Sequence, residues 1–248
     1  MAQSEQRRQK KLAARKKKQQ RERQTAARRK QELSTLAGLV QANCRGAVVQ
    51  SYFAVADGRS SDGMTMVYVT REAARGQVLL GTFVVDLWCM GVKDCYARLL
   101  PLGEFRDMIQ NTRKQFIVEP ISAGEAHAIV AGGVEYAAEI GLAPHADYAK
   151  VAPIFHDISR GLLPEGMEFG IEGKRRYIQG PYDSAATVAR VIQALSTSLT
   201  SEEYDVIQVL RDAGDGFGHL NALEYANLEP YDDYPSDEEP HDENDDKE

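Results

Sequence analysis

Val78-Leu-Leu-Gly-Thr-Phe-Val-Val-Asp-Leu-Trp88 is apolar on both of the faces that an extended chain presents, through Val78, Leu79, Leu80, Phe83, Val84, Val85 and Leu87. A strand of that composition belongs in the middle of a sheet with cover on both sides, and helices must supply at least one of those covers. Upstream, Met64 to Thr70 alternates, with Val67 and Val69 on one face and Met66 and Tyr68 on the other, and Arg75-Gly76 supplies the turn into the central strand. Further upstream, Ala47 to Ala56 carries Val48, Val49, Tyr52, Phe53 and Val55, and Asp57-Gly58 and Asp62-Gly63 bracket a turn-rich loop. β-branched and aromatic runs separated by Gly and Asp turns predict a three-stranded antiparallel meander.

Downstream the period changes. Ala126, Ile129, Val130, Gly133, Val134 and Ala137 recur at three- and four-residue steps, with Gly141 placed as a C-terminal cap. This is an amphipathic helix packed on the sheet. Pro144 opens a second helical stripe, Tyr148, Val151, Ile154, Phe155 and Ile158, which Pro153 must kink or delay. Gly170 to Tyr182 reads as a short hairpin turning at Glu172-Gly173 and closed by Gly180-Pro181. Asp183 or Ser184 caps a helix with the stripe Val188, Val191, Ile192, Leu195 and Leu199. Thr200 with Glu203 forms a capping box for one more helix, carrying Val206, Ile207, Val209 and Leu210 and ending before Gly214. The fold class is therefore α+β: an antiparallel three-stranded meander covered by helices, plus a short hairpin.

The two ends of the chain carry opposite charge. Residues 1–30 hold 13 Lys and Arg against 2 Asp and Glu, a net +11, whereas residues 229–248 hold 11 Asp and Glu against one Lys, a net −10. From Ser4 to Glu32 there is no Pro or Gly, and Leu12 is the one large aliphatic residue. A helix that is polar on every side has no face to bury, so residues 1–32 are expected to be a detached helical arm. Residues 33–228 form the globular domain on this reading, and 229–248, acidic and nearly free of aliphatics, a disordered tail.

The same counts exclude classes of function. No run approaches the roughly 18 apolar residues of a membrane span, and the basic N-terminal stretch lacks the apolar core of a secretory signal. Cys44, Cys89 and Cys95 are an odd number of thiols, pointing to a reducing compartment and a cytoplasmic location. The six-residue step from Cys89 to Cys95 has no second Cys/His pair to complete a zinc site, and no cofactor is implied.

Asp86 is the residue most in need of a partner, because an unpaired carboxylate in the most apolar strand either finds one or takes up a proton. Lys93 or a backbone amide would serve structurally. A catalytic reading groups Asp86 with Cys89, Lys93, Asp94 and, as a base, His145 or His156. Asp57, Glu72, Asp86 and Asp94 at strand ends could instead hold a divalent metal for nuclease chemistry, although their spacing is not diagnostic. Lys174, Arg175 and Arg176 beside Tyr177 form a basic cluster next to an aromatic, which suits phosphates and a stacked base or simply a solvated turn.

Three segments, Val85 to Asp94, Ile140 to His145 and Gly173 to Asp183, resemble stretches of a group of uncharacterised bacterial proteins. The resemblance covers the central region and omits both charged ends. It implies a bacterial cytosolic protein with one compact domain and brings no activity with it. Those proteins place Pro after Gly-Lys where this chain has Arg175, which makes the hairpin more basic.

The functional expectation is a nucleic-acid-associated protein, with RNA or a ribosomal surface as the partner. It would bind through Arg7, Arg8, Lys10, Lys11, Arg15, Lys16, Lys17, Lys18, Arg21, Arg23, Arg28, Arg29 and Lys30, with help from Lys174 to Arg176. The acidic tail would compete with nucleic acid for the arm, since opposite charge blocks attract within the ~8 Å screening length of physiological salt. Alternatives are a metal-dependent nuclease or other hydrolase around Asp86, Cys89 and Asp94, and an adaptor that binds another protein and carries solubilising tails.

Overall fold

In the computed structural model, which describes residues 35–56, 63–181 and 183–208, the central strand is buried at every position after its first. That strand, β3 (Gln77–Asp86), is flanked by β2 (Met64–Glu72) and β4 (Gly91–Pro101), and β2 in turn pairs with β1 (Val48–Ala56). With β5 (Phe116–Ile121) on the far side of β1, the order is β4-β3-β2-β1-β5, and every neighbouring pair is antiparallel. All described residues lie in one compact unit, and none of their helices is long and apolar enough to cross a membrane.

The three expected strands are present, but the meander continues into a fourth. Gly91, with φ near 64°, completes a tight turn at the end of the central strand and opens β4. β5 was missed because Pro120 interrupts its apolar run, and its place on an edge is what lets the sheet tolerate a residue with no N–H.

Alternation sorts the side chains onto two faces. Phe53, Val67, Val69, Leu79, Phe83, Val85 and Cys95 meet α1 (Leu36–Asn43), α3 (Ala123–Ala138) and α4 (Tyr148–Val151) in the main core. On the opposite face, which carries Tyr52, packs α2 (Leu102–Thr112), whose Phe105 ring centre lies 6.1 Å from that of Tyr52. The sequence reading omitted α2, for it begins after Pro101 with no side-chain cap and has a sparse apolar stripe. α3 carries a full capping box, Ser122 with Glu125, and its end is closed by Gly141 at φ near 76° with the Leu142 N–H donating to Ala137. The helix after Pro144 is shorter than its stripe: α4 ends at Val151, and residues 152–155, with Pro153 inside, continue as a 3₁₀ turn.

Two buried contacts fix how helices sit on the sheet. Gly133 of α3 approaches so closely that a Cβ on it would lie 2.8 Å from Val85, and a Cβ on Gly91 would lie 2.2 Å from the Gly133 carbonyl oxygen. Arg71, 1% exposed on β2, donates through Nε to the Ile154 carbonyl (2.6 Å), through Nη1 to the Gly46 carbonyl (2.9 Å), and through Nη2 to Asp157. One guanidinium thereby ties the sheet to the 3₁₀ turn and to the α1–β1 connection.

The C-terminal described part corrects two expectations. The turn at Glu172-Gly173 is present, both residues having positive φ, but only Ile171 and Lys174 bridge across it. The rest of the expected hairpin is β6 (Arg175–Ile178), which pairs in parallel with β7 (Tyr204–Ile207). Parallel strands need a crossover, and α5 (Ala185–Ser198), capped by Ser184, provides it. β7 occupies the first part of the last expected helix, whose remaining residues, from 209 on, lie outside the described residues. The Thr200–Glu203 capping hydrogen bonds do form, at 2.7 and 2.8 Å, but they close a turn, after which Val206 and Ile207 extend alongside β6. β-branched residues with a strand partner outweigh a helix-start signal. A second core cluster joins this unit to the body: Cys89, Ala137, Ile140, Leu142, Tyr177, Val188, Val191 and Leu195. The expected basic arm and acidic tail lie outside the described residues, as does residue 57.

Gly91→Ala should lower the unfolding free energy by about 1–3 kcal/mol, combining left-handed strain with the clash against Gly133. Gly103→Ala, in α2 with nothing within 4 Å of the added carbon, should cause no loss. Urea unfolding midpoints of the two variants check the contrast.

Candidate functional site

The strand end that sequence reasoning singled out is a closed polar cage. Asp86 is 4% exposed, and its carboxylate accepts three backbone N–H groups from the turn it begins: Trp88 (2.9 Å) and Cys89 (3.1 Å) on Oδ1, and Met90 (3.1 Å) on Oδ2. Burial outweighs those donors and the nearby Lys93, and pushes its pKa up to about 6. The carboxylate thus serves as the internal cap of the β3–β4 turn.

Lys93 answers a different acid. Its Nζ lies 3.2 Å from Asp183, which also accepts from the Tyr177 hydroxyl and the Gly180 N–H, both at 2.9 Å. Cys89 is buried beneath this network, and burial, with Asp86 adding to it, raises its thiol pKa to about 12. A thiol so protonated and enclosed is a small hydrophobe and a poor nucleophile.

Asp94 and His145 do come together, on the edge strand. His145 Nε2 lies 3.9 Å from Asp94 Oδ1, and His145 Nδ1 lies 4.0 Å from the sulfur of Cys95, a residue the sequence reading did not place there. The order Cys95, His145, Asp94 has the outline of a thiol–imidazole–carboxylate relay, yet two features oppose that chemistry. Nδ1 accepts the Asp147 N–H at 3.2 Å, so that lone pair is already engaged. Cys95 is buried, and its pKa is likewise pushed up to about 12, by burial first and by Asp94 and Asp147 next. Among the described residues no hydrogen bond or ion pair joins Asp86 or Cys89 to His145.

The other candidates are also engaged. His156 sits 3.4 Å from Asp157, the acid bound by Arg71, and a further histidine not among the candidates, His127, bonds the Ile158 carbonyl while stacking on Phe155. Glu72 ends β2 at the surface. Among the described residues no three His, Cys, Asp or Glu side chains stand close enough to share a metal ion, so the nuclease reading has no ligand set there.

The basic cluster divides in two. Arg175 is buried, its guanidinium 3.5 Å from the centre of the Tyr136 ring and 2.6 Å from Glu139. Arg176 bonds Asp205 across β6–β7 at 2.9 Å. Of these three cations, Lys174 alone makes no ion pair among the described residues. Arg71 went unremarked in the sequence, although a cation directly after Val67-Tyr-Val-Thr70 carries the same signal of a charge inside an apolar strand that drew attention to Asp86.

Comparison of the chain with protein-family models, with curated proteins and with solved structures returns no match.

Two outcomes follow from the cage. Because burial raises the pKa of Asp86 from 3.8 to about 6, the folded protein holds that proton over a range in which the unfolded chain has released it. Stability from this group is full below about pH 4 and falls as pH rises to about 6. Relative to Asp86→Asn, wild type should lose on the order of 3 kcal/mol between pH 4 and 7, which paired urea titrations would reveal. Second, all three thiols are buried, so native protein should react with a disulfide reagent at pH 8 at least tenfold more slowly than protein in denaturant.

Proposed function

We propose that the chain is a nucleic-acid-binding protein whose affinity is mainly electrostatic, and that single-stranded or structured RNA, including a ribosomal surface, is its partner. One observation carries this reading: 13 of the first 30 residues are Lys or Arg, with 2 acidic residues among them. Phosphate neutralisation with release of counterions gives binding that depends little on sequence and strongly on salt. No RNP sequence, zinc finger or leucine zipper accompanies the arm, so base recognition is not its task.

The candidate active-site residues weigh against the hydrolase alternative, with the Asp86 carboxylate held by its own turn and the Cys89 and Cys95 thiols buried and protonated. Help from Lys174 to Arg176 narrows to Lys174, because Arg175 and Arg176 have partners within the fold.

If the arm meets roughly six phosphates of a single strand, a plot of log affinity against log salt should have a slope of about −4. Removing residues 1–30 should flatten that slope and weaken binding at least a hundredfold at low salt, as read by fluorescence anisotropy with a labelled RNA. Unchanged affinity after the deletion overturns the reading, and co-purification of a protein that survives nuclease and high salt would favour the adaptor.

A further inference from the structure

Helix α2 has one flank that its own fold does not use. At 100° per residue, Phe105 and Ile109 point down onto the sheet and are buried, while Arg106, Gln110 and Arg113 follow one another along the side that faces β1. Across from them, β1 contributes Gln50 and Tyr52. These seven side chains enclose a groove of about 230 Å³.

Its construction is specific. The floor is apolar, from Phe105 and Ile109. The wall is the Tyr52 ring, whose centre lies 6.1 Å from that of Phe105 and 5.9 Å from the guanidinium carbon of Arg113. Gln50 enters from an interrupted ladder. The β1–β2 register slips between Val48 and Ser51, and the Gln50 backbone is held by a side chain, its N–H donating to the Thr70 hydroxyl (3.0 Å) and its carbonyl accepting from it (2.8 Å). Such an irregularity re-aims the side chain it carries.

The charges of the groove are unmatched. Arg71, Arg160, Arg175 and Arg176 all have carboxylate partners, whereas neither Arg106 nor Arg113 enters an ion pair among the described residues. Of the acids of the same helix, Glu104 lies on its other flank and Asp107 on its outward face. Two guanidinium forks, one aromatic face and two amides able to donate and accept form the donor set for a planar, hydrogen-bonding ligand joined to an anion. The groove is smaller than the roughly 300 Å³ at which pockets begin to enclose drug-sized molecules, so it takes one planar unit and leaves the remainder in solvent.

We propose that the groove of Gln50, Tyr52, Arg106, Gln110 and Arg113 binds one nucleotide unit, with its base against Tyr52 and its phosphate held by Arg106 and Arg113. The inference deepens the RNA-binding reading and rests on it for the source of the nucleotide: the arm gathers a strand without regard to sequence, and the groove holds one of its bases. Base–aromatic stacking with flanking cations is sequence-tolerant and suits a single strand.

The test uses the full chain and a short single-stranded RNA carrying 4-thiouridine. Irradiation followed by peptide mapping should place a cross-link on the segment containing Tyr52, in addition to any on the arm. Arg106→Gln with Arg113→Gln, both exposed positions whose replacement leaves the floor intact, should reduce the Tyr52 cross-link about tenfold or more and leave the arm cross-links unchanged. Tyr52→Leu should weaken binding at least fivefold, with an unaltered melting temperature in the double arginine variant as the folding control. Displacement of the Tyr52 cross-link by millimolar uridine monophosphate identifies a free nucleotide as occupant, and displacement by oligonucleotide alone identifies a strand; either supports the site. Displacement by inorganic phosphate as readily as by the nucleotide, or a Tyr52 cross-link absent or indifferent to the arginine changes, overturns it. An arm deletion that leaves RNA affinity unchanged while the Tyr52 cross-link persists would defeat the arm and spare the groove.

Discussion

A carboxylate enclosed at the end of the most apolar strand is the constraint from which much of this architecture follows. Asp86 could not be buried without donors, and the donors it has are the N–H groups of Trp88, Cys89 and Met90, so the chain must turn at once and return as β4. The turn then becomes a surface on which other backbone docks. Gly170 donates its N–H to Leu87 and Arg176 donates to Trp88, which seats β6 against the turn, and α5 and β7 follow β6. Polar satisfaction at one point thereby links the sheet to the parallel unit, and the apolar cluster from Cys89 to Leu195 fills the space between them.

Charge in this protein falls into two populations. One is internal and matched: Arg71 with Asp157 and two carbonyls, Lys93 with Asp183, Arg175 with Glu139 and the Tyr136 face. These groups hold elements in place, and truncating one would leave its partner buried or misdirected. The other makes no ion pair among the described residues and includes Lys174 and the two arginines beside Tyr52, and sequence counting sets the cations of the first 30 residues next to it. It is the second population that can exchange counterions for phosphate, and the separation explains why a basic cluster read from sequence is a poor guide until partners are known.

Much of the sheet was legible because β-branched and aromatic runs punctuated by Gly and Asp leave few alternatives, and β1, β2 and β3 lie where those runs lie. The stripe from Ala126 to Ala137 closed by Gly141, and the Val188, Val191 and Leu195 stripe, made α3 and α5 equally readable. What escaped was decided by partners distant in the chain. β7 is a strand because β6 needs one, whatever Thr200 and Glu203 signal locally, and β5 survives Pro120 because it occupies an edge. The candidate site was half visible in the same sense. The need of Asp86 for a partner, and a backbone amide as one answer to it, could be read from its neighbours, but not that three amides of one turn would share the task, nor that His145 would find Cys95 and Asp94 rather than Cys89.

The parallel pairing of β6 with β7 gives the chain a late-completing part. β6 ends at residue 178, but the strand that covers its edge has emerged only when Ile207 is made, so a nascent chain on the ribosome holds an open strand edge while about thirty further residues are added. Such an edge is a template for pairing with other chains. A shortened version of this protein that stops before Tyr204 would keep all five strands of the main sheet and still be poorly behaved in concentrated solution, which sets Ile207 as the earliest sensible end for a recombinant fragment.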